Sequence, residues 1–71
     1  MINISLMVVP GTGHSMPSVS EGTTLGQFVF MHNLHDRSII VNGQTVAPSD
    51  YAEFVLRDGH EVFAGIAVKG A

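Results

Sequence analysis

An α+β domain, with one sheet and a short helix packed across one of its faces, is what this sequence predicts, and three patterns predict it. Ile2, Ile4, Leu6 and Val8 alternate with Asn3 and Ser5, the period-two pattern of a strand with one buried face. Leu25, Phe28, Val29 and His32 fall at i, i+3, i+4 and i+7, the period of an amphipathic helix. From Ile39 onward, β-branched runs are punctuated by Asn42-Gly43 and Asp58-Gly59, pairs that turn a chain back on itself. None of these elements buries its apolar face alone, so they stack as a sheet with a helix on one side.

The elements follow in order. Met1 to Val9 reads as one strand, ended by Pro10-Gly11-Thr12-Gly13, because proline lacks a backbone donor and glycine turns easily. About Met16 to Ser20 returns antiparallel, with Pro17 marking an edge or a strand start. The helix spans about Thr24 to His32 or Asn33, with Thr23 or Thr24 as N-cap. Gly26 weakens it by up to about 1 kcal/mol relative to alanine, so packing against the sheet must hold it. Leu34 to Arg37 reads as a polar connector, Ser38 to Val41 as a strand, and Gln44 to Val46 as its return across a type I′ turn at Asn42-Gly43. Pro48-Ser49-Asp50 starts a turn in which Asp50 and Glu53 resemble a weak capping pair. Phe54-Val55-Leu56 is a short apolar run, and His60 to Ala64 is the last strand. Ile66-Ala67-Val68 continues extended, and Lys69-Gly70-Ala71 ends the chain. No internal repeat or low-complexity stretch interrupts this order.

Composition narrows the function. Seventy-one residues make one domain with a marginal core. Cysteine is absent, which excludes disulfides, zinc–thiolate sites and a thiol nucleophile. Six acids oppose three bases, Arg37, Arg57 and Lys69, for a net charge of −3. Such a surface neutralises few phosphates, so neither nucleic acid nor an anionic membrane is an expected partner. No apolar run approaches the roughly 18 residues of a membrane-spanning helix. The first residues lack a basic n-region, so no signal peptide is expected, and cytoplasmic residence is.

Several residues here carry a family resemblance. They are the first hairpin, Glu21-Gly22-Thr23-Thr24-Leu25 leading into a helix, Ile40-Val41-Asn42-Gly43, Val46 to Pro48, Leu56 to Val62, and a glycine-containing end. Together they resemble the ubiquitin-like β-grasp sulfur carriers, the ThiS and MoaD proteins of thiamin and molybdopterin synthesis. The resemblance covers nearly the whole chain and is most specific from Val41 to Ala71. It implies a single β-grasp domain over residues 1–71, with a mixed four- to five-stranded sheet, one main helix on one face, and residues 66–71 as an extended tail. It implies no enzyme and no cofactor, but a protein substrate. An E1-like adenylating enzyme activates the C-terminal carboxylate with ATP, sulfur replaces oxygen, and a synthase takes sulfur from the thiocarboxylate. Gly70 and Ala71 then form the activated end. A thin tail enters a narrow channel because glycine has no Cβ to clash. Phe63, Ile66 and Val68, with Lys69, are the expected partner-docking residues; Val62 or Phe63 also reads as core, which leaves Ile66 or Val68 to the docking surface.

Three departures accompany the match. Ala71 stands where the family carries a terminal glycine, His60 where it often carries an acid, and the Pro10 to Ser15 hairpin loop is not one the family shares. A second reading therefore stands beside the first: a β-grasp binding module without carrier chemistry, whose tail is a plain chain end.

The remaining chemistry-bearing residues have plainer readings. His14, His32, His35 and His60 invite a metal site, but zinc takes three or four ligands. Only His32 and His35 are brought together by spacing, so no metal is expected. A His32 cation at the helix C-terminus would instead meet the helix dipole favourably. Gly11-Thr12-Gly13 lacks a nucleotide-binding frame and reads as a turn. No nucleophile and base share a motif, which argues against a stand-alone enzyme. Phe28 carries the largest share of the helix packing. Phe28→Ala should cost about 3–5 kcal/mol in chemical denaturation; a variant with the parent melting temperature would remove Phe28 from the core.

Overall fold

The computed structural model describes residues 1–66. The first hairpin is interrupted once on each side. Strands β1 (Ile2–Asn3) and β2 (Ser5–Val8) run out, and β3 (Gly13–Ser15) and β4 (Ser18–Val19) return. β1 pairs with β4 and β2 with β3, both antiparallel. Pro17 sits at the interruption, and its carbonyl accepts the Ile4 N–H at 3.0 Å. The continuous first strand expected from the pattern is thus broken at Ile4. The expected return strand from Met16 begins earlier, because Val8 already pairs with Gly13.

Helix α1 (Leu25–Met31) has Thr24 as N-cap and His32 as C-cap. The capping box is complete: the Thr24 hydroxyl accepts the Gln27 N–H at 3.2 Å, and the Gln27 side chain accepts the Thr24 N–H at 2.9 Å. The two remaining first-turn donors find partners outside the helix. Leu25 N–H donates to the Phe54 carbonyl at 2.7 Å and Gly26 N–H to the Tyr51 carbonyl at 2.9 Å. A Cβ on Gly26 would lie 3.4 Å from that Tyr51 oxygen, so this glycine allows the close approach. At the other end Asn33, at φ 58°, reverses the chain. Its N–H donates to Phe30 and that of Leu34 to Val29, at 3.2 and 2.8 Å, a Schellman motif. Leu34 is buried with Val29. The expected polar connector therefore starts with an apolar anchor rather than a solvated residue.

Beyond α1, β5 (Arg37–Val41) turns at Asn42-Gly43 into β6 (Gln44–Thr45). Both turn residues have positive φ, 50° and 83°, as a type I′ turn requires. The Pro48–Asp50 segment is a single 3-10 turn. Asp50 supports it through its backbone carbonyl, which accepts from Glu53 and Phe54 at 3.1 and 3.0 Å; the expected side-chain capping is not made. The last described strand, β7 (Glu61–Ile66), enters the middle of the sheet. The order is β3-β2-β7-β5-β6, with β7 parallel to β2 and antiparallel to β5. The strand thus runs two residues beyond the expected end at Ala64, and Ile66 belongs to it rather than to a tail.

Register sorts the side chains. Leu6 with Val62, Val8 with Ala64, Ile39 with Ala64 and Val41 with Val62 are paired and buried. They meet Leu25, Phe28 and Val29 of the helix in one core, with Ile4, Leu34 and Leu56. Phe28 is fully buried, and no polar or charged side chain is buried among the described residues. A mixed five-stranded sheet with one helix on one face is an α+β, β-grasp-like architecture. No helix among the described residues is long and apolar enough to cross a membrane.

Tyr51 is half-buried against this core, and burial pushes its phenol above the ordinary value. The folded state therefore favours the neutral form, and the unfolded chain ionises first as pH rises. The stabilisation is complete below the ordinary phenol pKa of about 10 and is lost as pH rises through the higher folded value. The urea midpoint should fall more steeply across this alkaline range than in Tyr51→Phe. As the chain has one tyrosine, phenolate absorbance reads the same titration directly.

Candidate docking face

The side of the sheet turned away from α1 carries an apolar row. Strand alternation places Glu61, Phe63 and Gly65 of β7 there. Met7 of β2 and Ile40 of β5 both lie opposite Phe63, so an apolar row crosses the three central strands. Phe63 is 41% exposed, and Met7 and Ile40 are half-buried. Each breaks the apolar-in, polar-out pattern expected of a sheet with one wet face. Met7 follows Asn3 and Ser5 at an outward position, Ile40 lies between Ile39 and Val41, and Phe63 between Val62 and Ala64.

The row has a built shape. The Phe63 ring leans along its strand over Gly65, where an added Cβ would come within 2.9 Å of a ring carbon. A shallow cavity of about 370 Å³ opens beside it, lined by Met7, Ile40 and Phe63 together with Ser5, His14 and Glu61. The Ser5 hydroxyl and His14 Nε2 are hydrogen-bonded at 2.9 Å, and Glu61 lies across from Ser5. Asn42 fixes that end of β7. Its side-chain oxygen accepts the Glu61 N–H at 2.8 Å, and its own N–H donates to the Glu61 carbonyl at 2.9 Å. An apolar centre with a polar rim is the make-up of a protein-recognition patch. No acid hydrogen-bonds the His14 imidazole among the described residues, and the pair lies on an open sheet.

The site residues expected from the sequence divide. Phe63 lies on this face. Ile66 does not: it lies three positions after Phe63, an odd offset, and a strand sends residues at odd offsets to opposite sides. Ile66 is paired with Arg37 and is 67% exposed at the helix-side edge of the sheet. Val68, Lys69, Gly70 and Ala71 lie outside the described residues. Met7 and Ile40 were missed, although their breach of the alternation is visible in the sequence. His60 has a structural place: its Nδ1 accepts the Arg57 N–H at 3.1 Å, and its ring packs on Phe54. The other histidines are scattered over β3, the helix cap and an exposed connector, and no group of three metal-ligating side chains forms among the described residues. No protein-family model matches the sequence, and no curated protein matches it.

Gly65→Ala tests the shape of the face. The flexible, part-exposed Phe63 ring should swing aside, changing its ring-current shifts on Met7 and Ile40. Gly65 itself is buried, but the atom that must move is the far end of a part-exposed side chain, so the melting temperature should change little. Unchanged aromatic shifts would show that the ring does not rest on Gly65.

Proposed function

We propose that this chain is a protein-based sulfur carrier of the ThiS/MoaD type. The observation that carries the proposal is the Met7–Phe63–Ile40 row on the open face of β7, the strand that leads toward Gly70 and Ala71. A partner seated on that row would hold the following residues in a fixed direction. In this reading the terminal carboxylate attacks the α-phosphorus of ATP on an E1-like enzyme and releases pyrophosphate. Sulfide then attacks the acyl carbon, AMP leaves, and the resulting thiocarboxylate serves a synthase. The chain contributes a docking face and a carboxylate, while the partners contribute the catalytic groups. This chemistry belongs in the cytoplasm, where ATP is available.

A second reading is favoured by one residue. Ala71 adds a methyl group where a channel shaped for glycine would be tight. The docking face needs no activated tail, so the same fold would also serve as a binding module that engages a partner without sulfur transfer.

The two readings separate by intact mass. Incubation with an E1-like enzyme, ATP and a sulfur donor should yield the adenylate and then the mass gain of sulfur replacing oxygen. Phe63→Asp should suppress both without unfolding the domain. If the native chain stays unmodified while Ala71→Gly reacts, the protein is a binding module and not a carrier.

A further inference from the structure

The second feature lies at the opposite face and does not depend on the carrier reading. Arg37, the first residue of β5, is half-buried on the helix side of the sheet. It is paired with Ile66 at the end of β7, and its guanidinium reaches past that strand to the β2–β3 loop. A Cβ added to Gly11 would lie 2.8 Å from Val8 Cγ1 and 3.4 Å from Nη2, so the charged group sits beside the loop. His32 approaches from the helix end, its ring held on Phe28 with centroids 4.5 Å apart. Arg37 and His32 line one cavity of about 290 Å³, with Thr12 and Asn33 at its rim and Leu6 and Leu34 among its apolar walls.

The charge here runs against the rest of the molecule. The chain has six acids and three bases, yet no acid among the described residues lines this cavity. Asp36, the nearest in sequence, is exposed and outside it. The helix C-terminus would repel an anion through its open carbonyls, but those of Val29 and Phe30 already accept the Leu34 and Asn33 N–H groups. A guanidinium, an imidazole N–H, a hydroxyl and an amide are the donors that an oxyanion accepts. The volume exceeds what a bare oxyanion needs, given about 30 Å³ for one water, and the apolar walls suit carbon.

We propose that this cavity binds a small organic oxyanion, a carboxylate or a phosphate ester, with its charge on Arg37 and His32 and its carbon body against Leu6 and Leu34. Titration of the full chain with butyrate and with butyl phosphate, at constant ionic strength, tests this through amide NMR shifts. Saturable shifts should centre on Thr12, Asn33, Leu34 and Arg37, with Kd on the order of 1 mM. Saturation by one probe alone identifies the carboxylate or the phosphate as the source. Arg37→Gln should weaken binding about tenfold or more, with partial recovery in Arg37→Lys. Because Arg37 also packs beside the loop, Thr12→Val provides a second variant, expected to weaken binding at unchanged melting temperature. Linear, non-saturating shifts with both probes, or equal affinity in wild type and Arg37→Gln, would overturn the proposal.

Discussion

The structure depends on the insertion of β7 between β2 and β5. Its backbone is bonded on both sides, parallel to β2 and antiparallel to β5, so the two halves of the sheet meet only through it. Its side chains serve both layers: Val62 and Ala64 enter the core, and Phe63 stands on the opposite face. Without β7, the first hairpin and the β5–β6 hairpin would be separate two-stranded units, and such units are at best marginal in water. The central strand is also the last one described, so the sheet closes only through contacts distant in sequence. That places most of the cost of loop closure before the gain from packing.

The helix shows the same dependence at a smaller scale. Seven residues are too few to persist alone in water, and Gly26 lowers the intrinsic propensity further. What holds the helix is burial of Leu25, Phe28 and Val29, together with ties at both ends. The carbonyls of Tyr51 and Phe54 reach in to take the first two donors, so the segment after β6 acts as part of the cap. The glycine that weakens the helix is the residue that allows this segment to come close. Local propensity is given up at Gly26 for a tertiary hydrogen bond and tighter packing.

The legible features were those encoded locally. The alternation of Ile2 to Val8, a cap at Thr23 or Thr24, the helix period and the Asn42-Gly43 turn each need only a few neighbouring residues, and the structure keeps all four, with Thr24 as the cap. The features that were not legible depend on pairing. The interruption at Ile4 and Pro17 follows from a proline facing a particular partner strand. The extension of β7 to Ile66 follows from Arg37 lying opposite. Phe63 and Ile66 take opposite sides of β7, which an apolar list does not show because it ignores which side of a strand each residue takes. The Met7–Ile40–Phe63 row was half-visible, since each residue breaks its own strand's pattern, but only register brings the three together.

The same period of two separates the two surfaces proposed for recognition. Phe63 and the apolar row occupy the open face, while Arg37 and the cationic cavity occupy the helix side, at the edge where Ile66 ends β7. A macromolecule covering the row therefore leaves the cavity accessible. Both are placed by the backbone of one strand, since Phe63 stands on β7 and Arg37 lies opposite Ile66 at its end. Glu61 is fixed by two hydrogen bonds to Asn42 at the start of β7, and Val9 N–H bonds to the Ala64 carbonyl at 3.0 Å near its end. A shift of β7 along its neighbours would thus change the docking row and the Arg37 cavity together. A slip of one residue would place Phe63 in the core and Val62 in solvent, which the packing forbids. The register that secures the core is what keeps both surfaces in place.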